Sequence, residues 1–498
     1  MLSKYFFLGL FLVIIISVGV YSKKKVKNLN DFFLGGRKMG GWISAFSYGC
    51  SYFSAVIFIG YAGSIGWSFG ISAVWIGLGN AVIGSLLAWF VLGKRTRKMT
   101  HELDASTMPE FLEKRYNSKA MKIVTALIIF IFLVPYSASV YKGLGYLFAI
   151  TFNMPIEYYT YCMLAMALLT GIYLLLGGYI ATALNDFVQG SIMIVGMILI
   201  IYFVLSNPLL SGLKNGIDSL SQIPEVGPDL VSFFSASPFN LFSLIILTSL
   251  GTWGLPQMVH KFYAIKDEKA IKQATIISTI FAFIIGGGAY FVGTFGRLFL
   301  NNNMPADVDM IMPIMMDNVL PEALMGIVII LLLSASMSTL SAIVLVSSSS
   351  ITMDLIKGII CPEMKHEKAM FLMRFFCALF IALSFIVAVT PNSIVTLMSF
   401  SWGTVAGSFL APFLYGLYWK GTSKIGAWSG ILSGLSFSIG AALYYGMDAK
   451  LAPNIGAISI ILSLIVVPIV SLLTANLPET HIQKVFQGIE PIFKKEKI

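Results

Sequence analysis

The chain has 498 residues, of which 57% are hydrophobic and only 11% are charged. A soluble domain carries about 25% charged residues, and no globular fold of this size could bury so much apolar surface, so the composition excludes a soluble protein and favours a membrane protein. The net charge of +10 lies in short blocks between apolar runs rather than on one face, which argues against nucleic acid as a partner.

The first apolar run, residues 5–22, is the first predicted membrane span. A basic cluster of Lys23, Lys24, Lys25 and Lys27 follows this run instead of preceding it, and no small-residue cleavage site is visible. This arrangement differs from that of a signal peptide. We therefore predict a retained helix with its N-terminus outside.

Apolar runs long enough to cross a bilayer, about 20 residues at roughly 1.5 Å per residue, recur from there to residue 474. They predict about thirteen transmembrane helices in one membrane domain, 1–498, with a cytoplasmic tail, 475–498. The predicted spans are 5–22, 41–66, 70–93, 119–151, 156–178, 180–206, 236–264, 270–300, 323–356, 367–390, 393–419, 424–446 and 454–474.

The charges of the loops test this count. The segments predicted to be cytoplasmic hold 28 of the 33 lysines and arginines, as the positive-inside rule expects, whereas the long loops predicted outside are biased towards acidic residues. We therefore predict a cell-membrane protein with its N-terminus outside and its C-terminus in the cytoplasm. The predicted cytoplasmic segments are 23–38, 94–122, 261–272, 357–374, 420–424 and the tail after 475.

Two spans differ from ordinary lipid-facing helices. Residues 45–67 are crowded with small and hydroxyl side chains, and residues 244–262 contain Gly251, Gly254 and Pro256 in mid-span. Proline removes a backbone donor and clashes with the preceding turn, so such a break persists where it lines a wet cavity or a bound ion. Because each span stands first in a set of five, the two breaks indicate a transporter with inverted repeats. The alternative is a packing kink with small residues at helix contacts.

Asp186 is the one carboxylate that the sequence places well inside a span. An acid at that depth costs roughly 2.5–3.5 kcal/mol on insertion scales, so we expect it to have a partner or a cation. The alternative interpretation is an acid at the end of a helix that reaches interfacial water.

The densest hydroxyl cluster lies at residues 331–350, with the sequence LLLSASMSTLSAIVLVSSSS. On a helix, Ser334, Ser338 and Ser341 share one face, with Ala335 and Thr339 adjacent to it. Sodium prefers hard oxygen ligands, and neighbouring hydroxyls together with carbonyls freed by a broken helix would supply such a set. The alternative is that these hydroxyls pack between helices or bond to their own helix four residues back.

Several large side chains also stand out within the spans. Lys142 has two open interpretations: its ammonium extends towards the outer surface, or it pairs with an anionic group of a substrate. Trp253, Tyr52, Tyr136 and Trp402 lie away from the span ends. Aromatic residues in such positions either line a solute cavity or pack in the core.

Five segments carry a resemblance to a known family. They read FFLGGRKMGGW, SYFSAVIFIG, GGYIATALNDFVQG, GLPQMVHKFYAIKD and SASMSTLSAIVLVSSSSITMDL. Together they resemble the sodium/solute symporter family, in particular its sodium/proline and sodium/pantothenate branch. The resemblance implies an all-α, leucine-transporter-like fold of two inverted five-helix repeats, 41–206 and 236–419. It adds one N-terminal helix, 5–22, and two C-terminal helices within 424–474.

The resemblance also implies a sodium site between the first broken helix and the hydroxyl helix. Asp186 matches the family aspartate on the inward route of the ion. Ser341 matches one of two serines that hold a second sodium in some relatives, whereas Ala342 does not match the other. Carried over, the first sodium would bind to the carbonyls of Cys50, Phe53 and Ala335 and to the hydroxyls of Ser338 and Thr339.

The substrate is less well defined by the resemblance. Tyr52 stands where sodium/proline carriers have an aspartate, and in this respect it resembles the pantothenate branch. Lys142 stands where relatives commonly carry an uncharged residue. We predict a small carboxylate-bearing solute, such as the amino acid proline or pantothenate, with a sugar or sialic acid as the alternative. The predicted substrate-binding residues are Tyr52, Tyr136, Lys142, Thr252, Trp253, Gln257 and Trp402.

The sequence therefore predicts a sodium-coupled secondary symporter that imports its solute by alternating access, as a monomer or weak oligomer in the lipid bilayer. A proton-coupled carrier that uses Asp186 or Lys142 is one alternative, and a channel or a sensor is another. The four histidines and four cysteines show no metal-ligand spacing, and no nucleophile–base pair is visible. We therefore expect neither an enzyme nor a metal other than sodium.

Overall fold

Helices make up most of the part of the chain that the computed structural model describes, which is residues 2–23, 29–155 and 158–489. A bilayer offers the backbone no water, so each long apolar run satisfies its N–H and C=O groups internally as a helix. Within the described ranges, β-pairing is limited to one isolated bridge between Met39 and Ile265. The predicted all-helical architecture is confirmed.

We number the longer helices in chain order. The first ten are α1 (Leu2–Lys23), α2 (Gly41–Tyr52), α3 (56–69), α4 (70–102), α5 (Met108–Tyr116), α6 (Lys119–Thr151), α7 (159–177), α8 (Gly178–Ser206), α9 (Leu213–Ser221) and α10 (Pro238–Gly254). The others are α11 (Pro256–Ala264), α12 (Glu268–Thr294), α13 (Ile311–Val319), α14 (Leu324–Ile360), α15 (His366–Ala388), α16 (Ile394–Tyr418), α17 (Lys424–Tyr445), α18 (Ala452–Leu473) and α19 (Glu479–Val485). Short helices lie at Leu29–Leu34, Gly227–Leu230 and Gly296–Phe299.

By length and composition, the described residues include nine helices that could cross a membrane, or ten when the bent pair α10 and α11 counts as one span. The continuous stretch 56–102 enters this count once, although it turns at Gly70 and so contains both α3 and α4. Two apolar stretches, Leu8–Val18 within α1 and Tyr159–Leu169 within α7, are too short to enter the count. These three features account for the difference from the thirteen predicted spans.

Two glycines make the sharp turns between consecutive helices. Gly70 has φ +56° and Gly178 has φ +54°, a region of backbone conformation that favours glycine. A Cβ atom on Gly70 would also lie 2.1 Å from the Leu230 carbonyl oxygen. Each turn therefore depends on the absence of a side chain.

Two helices form the centre of the bundle. The apolar windows of α14 and α16 are 94% buried, whereas that of α15 is only 22% buried and presents most of its surface outward. α14 packs against α2, α6 and α8. The hydroxyl-rich helix is thus surrounded by the first broken helix and by the helix that carries Asp186.

Some predicted features fall beyond the described residues. Lys24, Lys25 and Lys27 of the basic cluster lie outside them, and the tail is described only to residue 489.

Candidate functional site

The candidate cation site begins at the interruption between α2 and α3. α2 ends at Tyr52, and the backbone is extended at Phe53 (φ −102°, ψ 101°) before α3 starts. A helical carbonyl accepts from the N–H four residues later, so the interruption frees carbonyls in the last turn of α2, including those of Cys50 and Ser51. Both residues are buried, so partners for these carbonyls must come from another helix.

α14 supplies such a partner through Thr339. The Thr339 hydroxyl donates to the Cys50 carbonyl at 3.0 Å and also lies 3.1 Å from the Ala335 carbonyl of its own helix. On the other side of the interruption, the Ala55 N–H donates to the Ser336 hydroxyl at 3.3 Å. The structure therefore places oxygen atoms of Cys50, Ala335 and Thr339, three of the predicted sodium ligands, next to one another.

Asp186 lies beside this cluster on α8 and is 1% exposed. One carboxylate oxygen accepts from the Ser338 hydroxyl and the other from the Ser47 hydroxyl, each at 2.5 Å. The Cys50 thiol lies 3.3 Å from the Asp186 main-chain carbonyl. Because Ser338 precedes Thr339 on α14, a single hydroxyl links the carboxylate to the predicted sodium ligands.

Lys261 is a residue of this site that the sequence analysis missed, because it counted Lys261 among the charges of the cytoplasmic segment 261–272. That assignment is wrong: α11 continues for three residues beyond Lys261, which is 2% exposed. Its Nζ donates to the Ser47 hydroxyl at 2.9 Å and lies 5.2 Å from the centre of the Tyr179 ring. One signal was present in the sequence, since Lys261 follows Gln257 by four residues and shares its helix face.

Ser341 has a different environment from Ser338. Its hydroxyl donates to the main-chain carbonyl of Met337 and also lies 3.2 Å from that of Ser338. These are bonds to its own helix, the pattern that the sequence analysis gave as the alternative for this hydroxyl cluster. The described hydrogen bond between Asp186 and α14 runs through Ser338.

Three predicted substrate residues form an aromatic cluster. The ring centres of Tyr52 and Trp402 are 6.3 Å apart, and those of Tyr136 and Trp402 are 5.4 Å apart, edge to face. All three side chains are fully buried. The Tyr136 hydroxyl faces Thr339, and Tyr52 lies two residues after Cys50 on α2. The cluster therefore adjoins the predicted sodium ligands on two sides.

The second interruption lies between α10 and α11, which meet at 45°. Leu255 is extended (φ −83°, ψ 120°), and α11 begins at Pro256, where the missing N–H removes no helical hydrogen bond. On α10, the Thr252 hydroxyl donates to the Ser249 carbonyl at 2.8 Å, and the Trp253 indole donates to the Ile83 carbonyl at 3.0 Å. The predicted break in residues 244–262 is confirmed.

Several buried side chains near these breaks have polar atoms without a hydrogen-bond partner among the described residues. Besides the hydroxyls of Ser51 and Tyr136, they include the amide oxygen and nitrogen of Gln257 and the indole nitrogen of Trp402. The Tyr52 hydroxyl donates to the Thr248 carbonyl at 2.6 Å, which joins the aromatic cluster to α10. A buried polar group without a partner costs about 1–3 kcal/mol, which makes these atoms candidates for contact with a polar ligand.

Lys142 lies apart from the other candidate residues. It follows Tyr136 by six residues on α6, which is about 9 Å along the helix axis. Its Nζ donates to the Asn392 main-chain carbonyl at 2.6 Å, close to Asp307 and Asp309. This contact directs the ammonium towards the predicted outer face and away from the aromatic cluster.

The two ends of the bundle differ. A cavity of about 470 Å³ opens among the predicted outer ends of the helices. At the opposite end, the Thr107 hydroxyl donates to Asp354 at 2.6 Å, and the Arg115 guanidinium donates to the Gly416 carbonyl at 2.8 Å. The candidate site lies between a recess at one face and closed contacts at the other. Residues that line the cavity include Ser64, Phe69, Asn240, Ser393 and Lys450.

Comparisons with known proteins extend these observations. A model of the sodium:solute symporter family matches residues 32–434. Sodium/proline symporter 2 of Staphylococcus saprophyticus is 32% identical over 443 residues, which cover 87% of this chain and 84% of that protein. The osmoregulated proline transporter OpuE of Bacillus subtilis is 29% identical over an alignment 502 positions long, gaps included, which covers 98% of each chain.

One solved structure tests the fold. A Na⁺-coupled sialic acid symporter, in a substrate-bound outward-open state, superposes with a TM-score of 0.74 over 95% of this chain and 98% of that chain. At 18% identity this likeness shows a shared fold. The resemblance seen in the sequence motifs and the predicted fold class are both confirmed.

Proposed function

Because the chain belongs to the sodium:solute symporter family, we propose that it imports a small carboxylate-bearing solute, such as proline, together with sodium by alternating access. The observation that carries this proposal is the contact between α2 and α14. There a helix interruption and a hydroxyl-rich helix bring together oxygen atoms of Cys50, Ala335 and Thr339 in the buried centre of the bundle.

The proposed sodium site consists of five oxygen ligands. Each contributes without a full charge, which suits an ion that must both bind and leave. The Thr339 and Ser338 hydroxyls already donate to the Cys50 carbonyl and to Asp186. A hydroxyl oxygen has two further lone pairs, so it accepts a cation while it donates its proton elsewhere. The ligands are the carbonyls of Cys50, Phe53 and Ala335 and the hydroxyls of Ser338 and Thr339.

Coupling between ion and solute follows from the closeness of the proposed sodium site and the aromatic cluster at the end of α2. Cys50 and Phe53 belong to the proposed sodium site, and Tyr52, between them, belongs to the aromatic cluster. Sodium that fixes the end of α2 therefore also fixes the position of Tyr52. Such a coupling is typically worth about 1–3 kcal/mol, or a 5- to 150-fold change in solute affinity.

The proposed solute site lies among Tyr52, Tyr136, Trp402 and Gln257. The Gln257 amide and the Trp402 indole, which have no hydrogen-bond partner in the described part of the chain, supply hydrogen-bond donors for a carboxylate. Gln257 also lies in the first turn of α11, whose N-terminus carries the positive end of the helix dipole. The relatives named as sodium/proline symporters support an amino acid such as proline as the solute.

Other predictions remain part of the proposal. We place the inverted repeats at 41–206 and 236–419, the N-terminus outside the cell and the C-terminal tail in the cytoplasm of a cell-membrane protein. The extra helices are 5–22 and the pair within 424–474. The working unit is a monomer or a weak oligomer.

Radiolabelled uptake into proteoliposomes tests the function. The purified chain is assayed with proline, other amino acids, pantothenate, glucose and sialic acid, each with an inward gradient of sodium or of potassium. We expect an amino acid or pantothenate to be taken up with saturation, and only with sodium. The double variant S338A/T339A should lose the sodium-stimulated component. Preference for glucose or for sialic acid would contradict the assignment of the solute. Undiminished uptake by the variant would contradict the assignment of the sodium site.

A further inference from the structure

Lys261, Ser47 and Asp186 form a buried chain of polar contacts across three helices. Lys261 on α11 donates to Ser47 on α2 at 2.9 Å, and Ser47 donates to Asp186 on α8 at 2.5 Å. Lys261 is 2% exposed, and Ser47 and Asp186 are 0% and 1% exposed. Ser47 accepts a hydrogen bond from the Lys261 ammonium and donates one to the Asp186 carboxylate. The ammonium is therefore the donor end of the chain, and the carboxylate is the acceptor end.

The surroundings of Asp186 would otherwise suit a small cation. The Asp186 carboxylate and the hydroxyls of Ser47 and Ser338 are hard oxygen ligands, and each hydroxyl lies within hydrogen-bond distance of the carboxylate. A buried carboxylate is costly unless a positive charge lies nearby. Here the positive charge belongs to a side chain of the protein, Lys261, which interacts electrostatically with Asp186.

We propose that the Lys261 ammonium is a built-in cation for Asp186, so that the transporter binds and carries a single sodium ion per solute. This inference rests on the proposed function, because it concerns how many ions the symporter uses. Lys261 is a positioning residue in this scheme: it holds Ser47 and Asp186 in place. It also balances the charge that a second sodium would otherwise balance.

Removal of the Lys261 charge should change the number of sodium ions that are transported with each solute. In K261Q the amide keeps a donor for Ser47 but leaves Asp186 without a positive partner. A sodium ion should then bind between Ser47 and Asp186, where it replaces the ammonium that contacted Ser47. K261R keeps the charge and should keep the wild-type stoichiometry. K266Q is the matched control, because it removes the same charge from an exposed lysine at the same end of the bundle.

The experiment counts both transported species. Proteoliposomes are given an inward sodium gradient, and the uptake of ²²Na⁺ and of the labelled solute is measured in parallel. We expect a sodium-to-solute ratio and a sodium Hill coefficient of about one for wild type, K261R and K266Q, and of about two for K261Q. Equilibrium binding of ²²Na⁺ to the detergent-purified proteins provides a second count that does not require turnover.

Each outcome decides the proposal. A ratio of two in the wild type, or a ratio of one in a folded K261Q protein, overturns it. If K261Q does not yield monodisperse protein, the wild-type count decides alone: one sodium supports the proposal and two overturn it. Solute uptake by the wild type that does not depend on sodium would instead contradict the proposed function. This outcome is seen before any variant is compared with the wild type.

Discussion

At the scale of single residues, Thr339 makes the contact on which the proposed sodium site depends. One hydroxyl contacts a freed carbonyl of α2 and a carbonyl of α14, at 3.0 and 3.1 Å. A hydroxyl is suited to this position because it both donates and accepts. A valine of the same shape would leave the Cys50 carbonyl buried without its donor.

We expect T339V to raise the sodium concentration for half-maximal uptake by about 5- to 150-fold, since loss of a buried hydrogen-bonding group costs about 1–3 kcal/mol. The maximal rate at saturating sodium should change less. Uptake is measured against sodium concentration in proteoliposomes. S348A is the control, because Ser348 is a buried hydroxyl of the same helix that bonds to the Val344 carbonyl. Equal sodium dependence in both variants would contradict the role of Thr339.

A substitution of Gln257 tests the proposed solute site in a similar way. Q257L keeps the approximate volume and removes both polar atoms that have no partner among the described residues. A hydrogen bond to a charged group is worth about 1.5–3 kcal/mol, so the KM for a carboxylate solute should rise roughly 10- to 100-fold. The sodium dependence should remain near that of the wild type. An unchanged KM would place the carboxylate elsewhere.

The residues of the site were predictable to different degrees. Ser338, Thr339 and Asp186 were accessible from the sequence, because hydroxyls and a carboxylate are conspicuous in apolar runs. Lys261 was not, because a lysine near the end of a span has the same appearance in sequence whether it faces water or a buried carboxylate. Only the packing of α11 against α2 distinguishes the two cases.

At the scale of helices, the close approach of α3 and α12 depends on glycine. A Cβ atom on Gly66 would lie 2.2 Å from the carbonyl carbon of Gly293. Backbone atoms cannot move aside as the end of a flexible side chain can. The two helices therefore approach each other only because neither carries a side chain at this point.

We expect G66V to lower the melting temperature of the detergent-solubilised protein by several degrees or to prevent its folding, because overpacking costs about 1–3 kcal/mol or more. G440V is the matched control, since a Cβ on Gly440 of α17 meets nothing within 4 Å. Fluorescence-detected thermal unfolding compares the two proteins. Equal melting temperatures would show that α3 and α12 separate at little cost.

The turn before α13 carries a carboxylate with an altered proton affinity. Asp309 accepts the Ile394 N–H at 3.0 Å, where α16 begins. Burial raises the pKa of Asp309 to about 7, against the opposing effects of that N–H group and of Lys142. Between the ordinary carboxyl pKa and about 7, the folded protein binds more protons at this group than the unfolded chain does, so its contribution to stability falls as pH rises.

The expected result is a wild-type melting temperature that decreases from pH 5 to pH 8, with a smaller decrease in D309N. The asparagine keeps an acceptor for the Ile394 N–H but does not ionise. D317N, a substitution at an exposed acid of the same predicted outer loop, should behave as the wild type. Identical pH profiles for wild type and D309N would contradict the contribution of Asp309.

Helix positions were predictable more closely than helix interruptions. The predicted spans 393–419 and 424–446 differ by one residue at most at each end from α16 and α17. By contrast, the small and hydroxyl residues at 45–67 predicted a broken span without its exact position, which the structure places at the extended backbone of Phe53 between α2 and α3. Apolar length determines a span in lipid, but an internal break is determined by partners on other helices, here Thr339 and Ser336.

At the scale of the whole molecule, the bundle combines a closed end and an open end around a buried centre. α14 and α16 are central, and the recess of about 470 Å³ lies towards the predicted outer face. The contacts of Thr107 with Asp354 and of Arg115 with Gly416 close the other end. Alternating access requires these two ends to exchange roles while the residues of the proposed sodium and solute sites remain between them.

Sodium-driven accumulation tests the central claim most directly. Proteoliposomes that contain the purified chain are given labelled proline, or the best solute of the uptake panel, with the membrane potential held at zero. We predict accumulation above the external concentration when sodium is higher outside, and loss of that accumulation when an ionophore dissipates the sodium gradient. Accumulation that follows an imposed proton gradient in the absence of sodium, or no accumulation under any gradient, would contradict a sodium-coupled symporter.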